Sequence, residues 1–562
     1  MLKPAFPAGA VGSTPLPEVR LVGTSGGKGG ILIRDDGQEK SVRPPDTRSW
    51  RNTGVLGKIV TETMDLKKLR DMDVEYLKPM DVILDETAFL QQVLSNANLP
   101  SVRKVSRWMV HHEIKLTEFG IFRRRRADEA PCGYSMALFT VMKKNGELRL
   151  IQDCRPLNKV FNKPPPMDLP RIHELIDEIL SKEFVGTQDA VSMFYQFGLS
   201  EEIQKYFAVL LAGPRGGMVE GRMTRMSMGF SWAPAIAQRC ANVLTRSIGR
   251  AWVDNFFIFG TTKDEYDANR TEFLRRVHEV GMQLDSEDFV PTKFLSALGV
   301  EFDLHQKRYR MDDDWTKKAS LKLRGLIATT LSIQGLYEVS GTLIWRDHVM
   351  KRRLCHVPHL LAALSTSGSA VSAGSKKWSD EFILTRELRT EIMAELDLLE
   401  ANAWAFKEDT NLPEVDVWTD ASLTYAAYVI CQRNRVIAAY RESVPPQHIF
   451  YSELGIAVKA LQRAHSMGYK SVNLFIDNAP SGICVERGAS SNFAANRTLS
   501  TLPPMETHVH WVPTYTELAD QFTRRREDQT LQPLPLLGSP TRELIQHLRA
   551  DPRVCALGTH TF

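Results

Sequence analysis

The spacing of apolar residues changes period several times along the chain, and each change predicts an element. In "DETAFLQQVL", Asp85 can cap a helix with Phe89, Leu90, Val93 and Leu94 on one face, so ordered structure is expected to begin there. The preceding residues, rich in Gly, Pro, Ser and charge ("GTSGGKGG", "SVRPPDTRSW"), read as a flexible segment, 1–75. From Tyr134 to Val300 strands and helices mix, and "YSMALFTVMKKNGELRLIQD" predicts a hairpin turning at Asn145–Gly146. Residues 316–364 read as helical, Ser365–Ser375 as a loop, and Phe382–Leu399 as a helix with Leu388, Ile392, Met393, Leu396 and Leu399 in step. Beyond Pro413, "VDVWTDAS", "YAAYVICQ" and "RVIAAYRE" are three short strands. A helix at "SELGIAVKALQRA", a strand "SVNLFID", helical residues 479–499, a strand "HVHWVP" and a helix at "TELADQFTRRR" follow. That order, βββαβαβα, implies a compact α/β domain. The expected boundaries are 1–75, 76–304, 305–408, 409–530 and a tail 531–562.

Composition narrows the class. A chain of 562 residues is too long for one core, and two to four domains are expected. Its 43% hydrophobic and 25% charged residues are those of an ordinary soluble protein, and a net charge of +4 makes any nucleic-acid footprint local. The seven cysteines (132, 154, 240, 355, 431, 484, 555) form no CxxC pair, which argues against a disulfide framework or zinc site and suits a reducing compartment. No uncharged apolar run reaches the ~18 residues of a membrane span. The proline-broken "MLKPAFPAGAVGSTP" does not read as a secretory signal. An intracellular protein of cytoplasm or nucleus, with no membrane partner, is expected.

Candidate chemistry begins with carboxylates in apolar strands. "WVDNFFIFG" buries Asp254 and Asn255 in a strand-forming run, where an acid is costly unless paired with something such as a metal ion. Asp189 ends a second short apolar strand in "FVGTQDAVSMFYQFGL". Two acids brought from separate strands to one sheet edge could hold a pair of Mg²⁺ ions for phosphoryl transfer. Either acid alone is more often a loop or capping residue.

The blocks around them are more specific. Tyr134–Phe302 resembles a retroelement reverse transcriptase: "KKNGELRLIQDCRPLN" and "PPPMDLPRIHELIDEIL" lead into "QDAVSMFYQFGL", "MSMGFSWAPAIAQ", "WVDNFFIFG", "HEVGMQLDSED" and "ALGVEF" in the family's order. The resemblance implies that Asp189 and Asp254 are metal ligands. It implies that Lys143 or Lys144, with Arg149, meets the triphosphate of an incoming deoxynucleotide, and that Phe194 is a steric gate beneath its sugar. It sets Gln196 and Gln238 near nucleotide and template, with Gly229 allowing close backbone approach to either. The family usually has a second acid where this chain has Asn255, which keeps an oxygen ligand and loses a charge. Altered metal use, Mn²⁺ beside Mg²⁺, is a consequence to test.

Asp420 ends a strand, Glu453 opens a helix, Asp477 ends another strand and Asp520 lies on the last helix. Four carboxylates at one sheet edge could bind two Mg²⁺ and activate water against a phosphodiester. Residues 412–527 resemble a retroelement ribonuclease H, although "HWVPTYTELAD" lacks the His-containing loop many such enzymes carry. That compact ending, and the segment from "LSIQGLYEVSGTL" to "LLAAL", resemble DIRS-type (tyrosine-recombinase) retrotransposons, and more distantly LTR-retrotransposon and hepadnavirus-like polymerases.

The resemblance implies an α+β and α/β multidomain fold, a right-hand polymerase (fingers and palm 76–304, helical thumb and connection 305–408) followed by a ribonuclease H-like domain. The implied partners are an RNA template, a DNA primer, the RNA–DNA hybrid and deoxynucleoside triphosphates. The clusters at 123–126, 351–353 and 524–526 would supply cations to the hybrid's phosphates, although most charge runs are solvated faces. His111, His112, His508 and His510 read as structural or surface residues. The competing reading is a domesticated, non-catalytic scaffold that keeps the fold to bind RNA or protein.

Overall fold

The computed structural model describes residues 31–33, 39–41 and 56–523, apart from 58, 101–103, 107–112, 144–145, 213–217, 287–289, 329, 408–413, 433–434 and 515–516. The chain divides into two compact units, 1–64, 80–163 and 192–233 against 65–79, 164–191 and 234–562. The units therefore interleave inside the stretch expected to form one block, 76–304.

In the first unit, Asp85 caps a helix as expected, its Oδ1 accepting from Ala88 N at 2.7 Å. Phe89 is fully buried, with its ring centroid 4.7 Å from Phe161 and 4.6 Å from Tyr206. The helix spans only Glu86–Gln91, so Leu90 and Leu94 face solvent instead of sharing Phe89's face. The predicted hairpin forms from Leu138–Met142 and Leu148–Gln152, antiparallel, with Gly146 at φ +84° in the turn. Ala208–Ala212 lies between Val105–Ser106 and Met218–Met223 in a four-stranded sheet that Phe122–Arg124 closes.

In the second unit, structure starts before the expected boundary: Asp65 caps the helix Leu66–Asp71. Gly249–Trp252, Asn255–Gly260 and Phe184–Asp189 form a three-stranded antiparallel sheet. Phe257 and Phe259 enter one core with Ile176 and Ile179 of the helix Ile172–Ser181. A fully buried Phe of this kind contributes roughly 1.5–3 kcal/mol. A four-stranded sheet (Phe294–Ala297, Val300–Asp303, Arg308–Met311, Ala405–Phe406) and the helices Asp313–Ala328, Ile333–Val349, Pro358–Ser372 and Arg386–Ala401 follow.

Residues Ser365–Ser372, expected in a loop, continue the helix begun at Pro358. Their hydroxyls turn back on the helix, Thr366 Oγ1 to Ala362 O at 2.9 Å and Ser367 Oγ to Ala363 O at 2.6 Å. Side chains satisfied in this way no longer compete for the backbone.

The last domain has the five-stranded order Arg435–Ser443, Tyr425–Gln432, Glu414–Ala421, Ser471–Ile476, Glu506–Trp511. The first two pairings are antiparallel and the last two parallel. The helix Ile449–Ser466 covers one face through Leu454, Ala457 and Leu461, while Trp418 stacks on Phe475 on the other, centroids 4.2 Å apart. The mixed, multidomain class expected from the sequence is the one the chain adopts. Among the described residues, no helix is long and apolar enough to cross a membrane.

Candidate active sites

The first carboxylate centre lies at the end of the three-stranded sheet. Antiparallel register sets Asn255 directly opposite Asp189, and Ala190 N donates to Asp254 O at 2.8 Å. Asp254 occupies a two-residue turn whose other member, Val253, has φ +54°, a costly conformation for a β-branched residue. Gln238 holds that turn: its Oε1 accepts from Val253 N at 2.7 Å and its Nε2 donates to Ala251 O at 2.9 Å. Gln238 is fully buried, and its Nε2 also donates to Asn242 Oδ1 at 2.7 Å. Asn255 Nδ2 donates to Asp254 Oδ1 at 3.2 Å. The Asp189 carboxyl is pushed up to about 6, first by loss of hydration, then by Asp254 and by Asp285. Asp285 was not singled out in the sequence; its N–H donates to Asp189 O at 2.9 Å. Its neighbours "QLDSED" carry no periodic signal that would have marked it.

The nucleotide-site candidates lie in the other unit. Arg149 is exposed on the hairpin, in register with Val141, while Lys143 pairs with Glu147 at 3.1 Å; Lys144 lies outside the described residues. Phe194 is half-buried in the turn Met193–Gln196, between Met193 and Tyr195, which are buried. Gln196 is fully buried and its carbonyl accepts from Met64 N at 2.9 Å. Gly229 has φ +117°, and a Cβ there would lie 2.1 Å from Gln152 O. The close approach that requires glycine here is to the chain's own strand.

The second centre joins three elements of the last domain. Among the described residues, Asp420, Glu453 and Asp477 are the one group bringing ligand oxygens of three acids within 4.8 Å of one another. Asp420 and Glu453 are buried, and Asp477 follows the strand Ser471–Ile476. Glu453 Oε1 accepts from Ala421 N at 3.1 Å, and Thr514 Oγ1 donates to Asp477 Oδ2 at 2.7 Å. Burial, then the charges of Asp420 and Asp477, push Glu453 up to about 9. Asp520, expected as the fourth acid, begins the helix Asp520–Thr523 but is not part of this group. Sequence reasoning missed Glu517, fully buried in the same "TELAD" segment. Burial first, then Asp420, Asp477 and Glu453, push its carboxyl well above the usual range. Glu453 Oε2 and Glu517 Oε2 are buried without a hydrogen-bond partner. All-oxygen ligands, strong acid–acid repulsion and orphaned buried oxygens are what a hard divalent cation would satisfy.

The basic clusters are largely consumed within the protein. Arg123 pairs with Glu129 at 2.8 Å, Arg124 with Glu113 at 2.5 Å, and Arg126 with Glu201 and Glu129. Lys351 bonds Asp177 at 2.9 Å, Arg352 bonds Glu395 at 2.6 Å, and Arg353 donates to Pro503 O and Met505 O at 2.8 and 3.0 Å. In both clusters these side chains are engaged by acids or carbonyls of the protein itself; residues 524–526, like His111 and His112, lie outside the described residues. His508 bonds Glu506 at 3.3 Å and His510 stacks on Phe475, structural roles as expected.

Comparison with known proteins adds the following. Residues 141–301 match the family model described as "Reverse transcriptase (RNA-dependent DNA polymerase)", so this span, which contains the first centre, is a reverse transcriptase domain. No curated protein matches the chain. A foamy viral protease-reverse transcriptase in complex with double-stranded DNA is similar at 15% identity and TM-score 0.46, covering 84% of this chain and 87% of that one. A foamy viral protease-reverse transcriptase in complex with an RNA/DNA hybrid is similar at 15% identity and TM-score 0.44, covering 79% and 59%. The fold described above rests on the chain's own strands and helices, not on these likenesses.

Proposed function

We propose that this chain is an RNA-directed DNA polymerase that also cleaves the RNA strand of an RNA–DNA hybrid, copying the RNA of a DIRS-type retroelement inside the cell, in cytoplasm or nucleus. The observation that carries the reading is the presence of two separate carboxylate centres, one within the reverse transcriptase span and one in the α/β domain that follows. In the first, Asp189 and Asp254 hold Mg²⁺, with Mn²⁺ as a substitute. Lys143 or Lys144 and Arg149 bind the triphosphate, and Phe194 excludes a 2′-hydroxyl. The reaction joins the primer 3′-oxygen to the α-phosphorus of a deoxynucleotide and releases pyrophosphate. In the second, Asp420, Glu453 and Asp477 bind Mg²⁺, with Asp520 as a fourth acid carried by the following helix. Bound there, the cations would supply activated water and charge neutralisation at the scissile phosphate.

Primer extension on a primed RNA template, beside cleavage of a labelled hybrid, tests the reading. Extension abolished by Asp189→Ala and by Asp254→Ala, and cleavage abolished by Asp477→Asn, would support it. A second reading, a domesticated scaffold without polymerase activity, draws on one contact: Asn255 turns its amide nitrogen, a donor, toward Asp254. Silence in both assays with tight hybrid binding would favour it.

A further inference from the structure

In the second centre each of the three acids has one oxygen held by a donor of the protein. For Glu453 the donor is the backbone amide of Ala421, at 3.1 Å. For the two aspartates it is a threonine hydroxyl, and both threonines come from the segment after the last strand. Thr514 Oγ1 donates to Asp477 Oδ2 at 2.7 Å, and Thr523 Oγ1 donates to Asp420 Oδ2. A carboxylate's terminal torsion is broad and roughly two-fold, so an unheld Asp samples many directions. A hydroxyl bonded to one charged oxygen makes a strong contact and fixes the direction of the other oxygen.

The holders are themselves held. Trp511 Nε1 donates to Asp477 O at 2.8 Å and Val512 N to Ile476 O at 3.0 Å, which ties the Thr514 segment to the strand end bearing Asp477. Ser422 Oγ lies 3.1 Å from both Thr523 O and Tyr425 O and shares its proton between them, a contact between Thr523 and the chain just past Asp420. The bland alternative for Thr523 is a helix-end bond to Asp520 O, 3.0 Å away. A hydroxyl has one proton, however, and the charged Asp420 carboxylate is a stronger acceptor than a backbone carbonyl. Thr523 is buried and Thr514 is exposed, so burial alone does not account for both contacts.

We propose that Thr514 and Thr523 are positioning residues of the acidic centre: each hydroxyl holds one oxygen of an aspartate, Asp477 or Asp420, and so sets the direction in which that carboxylate meets divalent cations. This rests on the reading that the group binds such cations, and the test separates the two. The full-length protein with Asp189→Ala and Asp254→Ala, which silence the first centre, is titrated with Mg²⁺. Mg²⁺-dependent thermal stabilisation is followed in parallel with cleavage of a labelled hybrid. Thr514→Val and Thr523→Val should each raise the half-saturating Mg²⁺ concentration about tenfold, the low end for loss of a partner of a metal ligand. Thr514→Ser and Thr523→Ser, which keep the donor, should stay within about twofold of the parent on the same grounds.

Val variants that bind Mg²⁺ like the parent, while Asp477→Asn abolishes binding, would overturn the proposal and leave the metal centre standing. Mg²⁺ binding indifferent to Asp477→Asn would overturn the metal centre and the proposal with it. Should Thr523→Val fail to fold, the exposed Thr514 decides the outcome by itself.

Discussion

The two carboxylate centres solve the same problem, acids crowded at a sheet edge, in opposite ways. In the first, Asp189 and Asp254 are exposed, an amide stands at 255 where a further charge would add repulsion, and positioning comes from a backbone turn clamped by Gln238. In the second, Asp420 and Glu453 are buried, Glu517 adds a further buried acid, and positioning comes from side-chain and amide donors to the carboxylates themselves. In the first centre Asp189 is pushed up only to about 6, whereas in the second Glu453, pushed up to about 9, holds a proton at neutral pH that a cation must displace.

The largest expected contrast is therefore in pH dependence. Glu453 rises from 4.5 to about 9, so its contribution to folding is full below pH 4.5 and is lost as pH rises through 9. A cation binding there must release that proton. Its apparent affinity should increase up to about tenfold per pH unit, or roughly a hundredfold between pH 7 and 9. Asp189, at about 6, requires no proton loss above that value, so Mg²⁺ affinity at the first centre should be flat from pH 7 to 9 and fall below 6. Calorimetric Mg²⁺ titrations on variants with one centre silenced compare the slopes, and Glu453→Gln should flatten the second. Identical profiles for the two centres would break the comparison.

Next in size is the clamp. Gln238→Leu removes both of its bonds to the turn and leaves Val253 N without its acceptor, at a cost of ~1–3 kcal/mol. Extension should fall about tenfold or more from the displaced Asp254, while hybrid cleavage is unchanged. The smallest effect is expected at Asn255. Asn255→Asp adds a charge opposite Asp189 in register. It should raise the Asp189 pKa further and lower the Mg²⁺ needed for extension several-fold, on the order of one charged ligand's contribution. An unchanged Mg²⁺ requirement would mean that the site is adapted to the amide.

How much of this was legible follows a physical division. Strand ends bearing Asp189, Asp420 and Asp477 could be read because a short apolar run that stops on an acid is a local signal. The hairpin at Gly146 and the cap at Asp85 are local as well. What could not be read depends on partners distant in sequence. Gly229 meets Gln152, Gln238 meets Val253, Arg353 meets Met505, and Arg352 meets Glu395. A charge run has the same letters whether it faces phosphate or an internal carboxylate. Ser365–Ser372 has the composition of a loop yet continues the helix from Pro358, with the Thr366 and Ser367 hydroxyls bonded to carbonyls one turn back. Glu517 sits three residues from the acid that drew attention, and only the fold buries it.

The central claim is that one chain carries two independent metal-dependent centres with different chemistry. A crossed assay tests it most directly: primer extension and hybrid cleavage, in Mg²⁺ and in Mn²⁺, for the intact chain, Asp254→Ala and Asp477→Asn. The account predicts that Asp254→Ala loses extension and keeps cleavage, and that Asp477→Asn does the reverse. Each loss should be on the order of 10³-fold, as several kcal/mol of charge stabilisation disappear. An intact chain active in neither assay in either metal, or extension that survives Asp254→Ala, would contradict it.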